Sequence, residues 1–204
     1  MDAQKLIEVI VKPFAMRRFI CGLAAACLVL PAAQALDLTP KPGTRQGNEG
    51  PPTSTLVFTD GKAQFDYVPP LDWRPSGGGN TLSFYTPDPK ALVKLMVVGK
   101  GNSQKGASMS NDDIQAWATK FIPGGAEKVE FVKLTPGPFS MGGRTVNECT
   151  FKFETGGIKT SLTVSMVDFS DKEWLLMLVS VPGKNFDQIR QQAISSMFSW
   201  TAKQ

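Results

Sequence analysis

The sequence predicts an α+β fold: an antiparallel sheet of about seven strands with helices packed on it. Short runs of strand-forming residues recur along its second half and much of its first, each closed by glycine, proline or Asp-Gly. One run, Trp174 to Val181, is apolar at nearly every position, which marks a strand in mid-sheet with both faces covered. Two segments instead carry apolar residues at helical spacing behind capping residues, one in mid-chain and one near the C-terminus.

The segment before the first strand reads as a secretory signal. Arg17-Arg18 form a positive end, Phe19 to Leu30 an apolar core, and Ala33-Gln34-Ala35 a small-x-small cleavage site. A spanning helix needs about 20 apolar residues, and this run stops short at Pro31. The arginine pair also fits a twin-arginine signal, but no cofactor motif follows that would call for export in a folded state. Cys27, behind Ala24-Ala25-Ala26, loosely resembles a lipoprotein cleavage site, although the apolar run continues past it to Leu30. Cleavage after Ala35 is the preferred reading, with Met16 an alternative start and residues 1–15 given no role. The expected location is the periplasm or the exterior, with the membrane met only through the signal unless Cys27 is lipidated.

Residues 36–54 carry Pro40, Pro42, Pro51 and Pro52 with Gly43, Gly47 and Gly50 among polar side chains. Such a composition buries little apolar surface and predicts a flexible leader. A single domain is expected over 55–204. Leu56-Val57-Phe58-Thr59 and Ala63 to Val68 flank Asp60-Gly61, a short-range hairpin signal. Pro69-Pro70 ends the second strand, and Trp73 is expected in a loop running through Gly77-Gly78-Gly79. Leu82 to Thr86 and Leu92 to Val98 are strands. A mobile loop is predicted from Gly99 to Met109, where neither phosphate-loop spacing can be laid on the glycines.

Ser110 then caps a helix, with Asp113 three residues on and Ile114, Trp117, Ala118 and Phe121 on one face. Pro123-Gly124-Gly125 stops it. The second half predicts a meander: Glu127 to Leu134, a turn at Pro136-Gly137-Pro138, a strand through Cys149, then Ile158 to Met166 and Trp174 to Val181. In the strand through Cys149, Phe151 and Phe153 share its face while Glu148, Thr150 and Lys152 take the other. Asn185 and Gln188 open the closing helix, with Phe186, Ile189, Ala193, Ile194 and Met197 at helical spacing and Phe198 and Trp200 completing the apolar anchoring.

Composition excludes several chemistries. The 204 residues include no histidine, which removes Ser-His-Asp and Cys-His nucleophile arrangements, imidazole acid–base catalysis and the usual zinc and haem ligations. Cys21 and Cys27 lie in the signal, so the mature chain keeps only Cys149, read as a buried structural thiol. Removal of Lys5, Lys12, Arg17 and Arg18 with Asp2 and Glu8 lowers the formal net charge from +4 to +2, no footprint for nucleic acid. Asp112-Asp113 is explained as a helix start, Asp171 with Glu173 as a turn beside a strand, and Asp168 by exposure at a strand end. No catalytic, cofactor or metal-ligating residue is assigned, no cofactor is expected, and the chain is not expected to be an enzyme.

Phe65-Asp66-Tyr67-Val68-Pro69-Pro70-Leu71-Asp72-Trp73 and Ala193-Ile194-Ser195-Ser196-Met197-Phe198-Ser199-Trp200 resemble the opening strand and closing helix of PsbP-like and DcrB-like exported proteins. Over roughly 56–201 the resemblance is one of layout. It implies an α/β/α sandwich around an antiparallel sheet and a non-catalytic binding or assembly role, with another envelope protein as partner, and it maps no functional residue onto this chain. A small-ligand or lipid carrier with an apolar pocket near Trp73, Trp117 or Trp174 is the alternative, and a carboxylate hydrolase a more distant one.

Overall fold

The computed structural model describes residues 35–46, 51–101 and 110–203, all within one unit, Ala33–Gln204. The signal segment up to Gln34, with Cys27 and Ala33, and the loop residues 102–109 lie outside the described residues.

Among the described residues, eleven strands form two antiparallel sheets. Seven of them, β4 (Arg74–Gly78), β5 (Thr81–Tyr85), β6 (Leu92–Gly99), β7 (Glu127–Met141), β8 (Arg144–Thr155), β9 (Ile158–Ser170) and β10 (Glu173–Pro182), make a sheet in the order β4-β5-β6-β10-β9-β8-β7. The second sheet, β1-β2-β3-β11, is built from β1 (Leu36–Arg45), β2 (Thr53–Asp60), β3 (Ala63–Tyr67) and β11 (Thr201–Ala202). Helices α1 (Asn111–Ala118) and α2 (Phe186–Met197) pack on opposite faces of the seven-stranded sheet. The expected α+β class and the large sheet are therefore present, and the second sheet is an addition to them.

The strand β10 explains the layering. Leu175, Met177, Val179 and Val181 point into the core shared with α2 and the smaller sheet, while Trp174, Leu176 and Leu178 face α1. Its central place between β6 and β9 is the one predicted by an apolar run without alternation. Trp200 joins the two sheets, stacking on Phe58 at 5.1 Å and lying 5.7 to 6.3 Å from Tyr67, Phe65 and Phe169. Offset and edge contacts of this kind add to the area they bury.

Four local expectations are corrected. The leader is not flexible over 36–45: β1 pairs with β2 from Leu36–Asp60 to Arg45–Thr53, and Leu36 and Leu38 are fully buried. Prolines are tolerated there because β1 is an edge strand, where a missing N–H costs no ladder bond, and its register shifts between Asp37 and Lys41. Gly77 and Gly78 do not continue a loop but belong to β4; a Cβ on Gly78 would stand 3.1 Å from the Thr39 Cα, so glycine there lets β1 and β4 approach. Trp73 is buried just before that strand. Pro136-Gly137-Pro138 is a bulge inside β7, where the register with β8 shifts between Pro136 and Ser140, rather than a turn. Phe198 is 59 % exposed, whereas Trp200 is buried.

Candidate functional site

Part of the polar side of β8 and β9 is interior. Glu148, Thr150, Thr163 and Ser165, which alternation alone would place in solvent, are all buried, and α2 reaches this set through Arg190. Arg190 of α2 forms an ion pair with Glu148, whose side chain has no exposure, and the Ser165 hydroxyl donates to the other carboxylate oxygen at 3.4 Å. Thr150 and Thr163 share a hydrogen bond at 3.3 Å. A buried carboxylate is tolerated only when paired and hydrogen-bonded, so this set defines where the helix sits.

Both helix ends are held as well. Asn185 is the N-cap residue of α2, as expected, and its carbonyl accepts from the Ile189 N–H at 3.1 Å, but its side chain makes no cap bond; the Asn185 amide donates instead to Asp88 at 3.1 Å, and this bond, with the Lys90 backbone N–H, holds the Asp88 carboxyl below its ordinary range. At the other end the Tyr67 hydroxyl and Ser196 Oγ are 2.7 Å apart, and the Val68 N–H donates to Ser199 Oγ at 2.8 Å. Arg45 of β1 donates to the Ser199 carbonyl at 2.9 Å and to Thr201 Oγ1 at 2.7 Å.

The outer face of α2 presents Asp187, Gln188, Gln191, Gln192 and Ser195, so carboxamides outnumber its single charge. Two grooves flank it and share Gln188 and Gln192. One, about 630 Å³, runs beside Pro87 to Lys90 and Pro182 to Asn185; the other, about 380 Å³, runs beside Val68, Pro70 and Leu71. Leu71 is 87 % exposed at the rim. The Gln188, Gln191 and Gln192 carboxamides beside a bare leucine suit hydrogen bonding and apolar contact with a partner surface.

A third groove of about 440 Å³ alternates Lys128, Lys152 and Lys159 with Glu130 and Glu154. Lys128 and Glu154 pair at 2.6 Å, and that bond lowers the Glu154 pKa. Three lysines against two glutamates leave it a net charge of only +1, a weak preference at most for an anion.

The residues singled out in the sequence are dispersed. Cys149 is buried on the α1 side, and burial, with Glu148 next to it, pushes its thiol up to about 11. Ala35 is exposed immediately before β1. Asp168 is exposed near its strand end and pairs with Lys100, whose ammonium lies 4.3 Å over the Trp174 ring. Ser110 caps α1 as predicted, accepting from the Asp113 N–H at 3.2 Å. Trp73 and Trp174 are core residues, and Trp117 packs edge-on to Phe121 at 4.9 Å. Among the described residues, no group of three or more acidic or cysteine side chains converges to hold a metal ion. The sequence reading missed Glu148, Arg190 and the glutamine face of α2. The available signal was Arg190 itself, a cation one residue after the core-facing Ile189.

No family model matches the chain, and no curated protein matches it. Among solved structures it is similar to LpqN of Mycobacterium tuberculosis, described as involved in cell envelope biogenesis, at 12 % identity and TM-score 0.46 over 81 % of this chain and 92 % of that one. It is also similar to the cyanobacterial PsbP (CyanoP) of Synechocystis, at 10 % identity and TM-score 0.45 over 78 % of this chain and 98 % of that one. A third likeness is to PA94 of Pseudomonas aeruginosa, a protein of unknown function, at 9 % identity and TM-score 0.43 over 74 % and 98 %. A PsbP structure thus stands among the likenesses, as the opening and closing motifs implied.

Proposed function

We propose that this protein is an exported, non-catalytic binding or assembly protein of the bacterial envelope, and that it meets another envelope protein over the outer face of α2. The observation that carries the reading is the pairing of a firmly seated helix with an outer face rich in carboxamides, on which Asp187 is the one exposed charge. Glu148, Asp88, Tyr67 and Arg45 position the helix and its flanks, and Gln188, Gln191, Gln192 and Leu71 are left to the outside. Carboxamides beside an exposed leucine match the polar and apolar mixture of protein–protein contacts. Support for export comes from the signal pattern at Arg17 to Ala35 and from β1 beginning at Leu36, where the cleavage motif ends. No helix among the described residues is long and apolar enough to cross a membrane. The carrier alternative would use an apolar pocket, whereas one groove beside α2 is lined by Asp88, Lys90, Lys184 and Asn185 among prolines, and the other by glutamines, serines and a few aliphatic side chains.

A photo-crosslinking residue placed at Gln191, in the protein expressed in its own envelope, tests this. One discrete protein adduct is expected from Gln191 and none from Lys133 on edge strand β7. Adducts from neither position, or equal labelling from both, would refute the docking face.

A further inference from the structure

The residue that follows the cleavage motif is a core residue. Leu36 is 1 % exposed and opens β1, and its backbone nitrogen donates to Glu173 Oε2 at 3.2 Å across 137 positions of sequence. Asp60 of β2 stands opposite Leu36 in the strand register, so a second carboxylate-bearing residue lies across from it. Asp37, the next residue on β1, accepts from the Thr39 N–H at 2.9 Å. A carboxylate from the start of β10 is thus brought to a backbone nitrogen that, in the uncut chain, is an ordinary amide.

We propose that cleavage of the Ala35–Leu36 bond converts this hydrogen bond into an ion pair, with Glu173 capturing the new α-ammonium and clamping β1 onto the seven-stranded sheet. This rests on the export reading. The step is a hydrolysis: one water is consumed, the carboxylate leaves with Ala35, and the Leu36 nitrogen becomes a primary amine that takes up a proton at neutral pH, since α-amino groups ordinarily titrate near 7.7–8.0. The protease is an endopeptidase that cuts after small residues at the membrane. It acts before β1 docks, because the Leu36 side chain on the far side of the scissile bond is inaccessible afterwards. Processing then does two things at once: it releases the domain, and it supplies the charge that completes the domain's first strand. Glu173, which the sequence explains as part of a turn, acquires a specific role.

The test compares chains beginning at Leu36 and at Ala33, each with and without Glu173→Gln. The unit Ala33–Gln204 contains every described residue, so both chains carry the whole fold. Glutamine keeps an oxygen that can accept from Leu36 and removes only the charge. Urea unfolding at pH 6.5 should show Glu173→Gln lowering the folding constant about fivefold more in the Leu36 chain than in the Ala33 chain, the upper end for a partly exposed pair. The excess should vanish at pH 10, where the amine is neutral. Equal losses in both chains would overturn the capture, even with export intact. Intact mass of the protein exported by its own host should begin at Leu36; another start would overturn the proposal through the export reading, whatever the unfolding shows.

Discussion

Replacing Arg190 by methionine leaves the Glu148 carboxylate buried beneath α2 with only the Ser165 hydroxyl, 3.4 Å away, as a partner on its other oxygen. Breaking one half of a buried pair costs about 3–5 kcal/mol, because the remaining charge has lost both water and its counter-ion. Against a total stability of about 5–15 kcal/mol, that is a large fraction. At about 2–4 °C per kcal/mol for a domain of this size, the midpoint should fall by roughly 6–20 °C. The double variant Glu148→Met with Arg190→Met removes the charge problem and fills the space with apolar atoms. It should recover to within about 1 kcal/mol of the parent, the residue being the unpaired Ser165 hydroxyl. Urea unfolding followed by tryptophan fluorescence gives both numbers, and an unchanged m-value confirms that the same transition is compared. A single variant costing under about 1 kcal/mol, or a double variant as unstable as the single, would show that α2 does not seal Glu148 from water.

The first strand provides a second prediction. Leu38→Ala should cost about 2–5 kcal/mol, as for other fully buried leucines, and a chain beginning at Thr53 should not fold stably; a melting curve unchanged by either would restore the flexible leader. For Tyr67, burial raises the phenol well above the ordinary tyrosine range near 10, so the folded state holds this proton more tightly than the unfolded one. The resulting contribution to stability is complete below pH 10 and is lost as the pH rises beyond it. Tyr67→Phe should cost about 1 kcal/mol through the Ser196 hydrogen bond, and its unfolding curves should fall less steeply above pH 10 than those of the parent.

Local signals determined much of this protein. Alternation and its absence placed β8, β9 and β10, the Ser110-x-x-Asp113 pattern placed the start of α1, and helical spacing placed α2. These are short-range preferences of backbone and side chain, so residues close in sequence contain them. The lack of histidine and the export pattern belong to the same class of statement, since neither depends on a contact.

Only the tertiary structure decided what lies across those elements. Leu36 and Leu38 sit in a segment whose prolines and glycines predict disorder, and they become core because β2 supplies a partner for an edge strand. Glu148 is solvent-facing by alternation and fully buried in fact, because a helix some 40 residues later brings Arg190 over it. Glu173 reaches Leu36 across 137 positions. In each case the deciding energy is a contact between distant segments. A window of sequence carries the propensity of its own residues, but not the identity of the surface that will cover them.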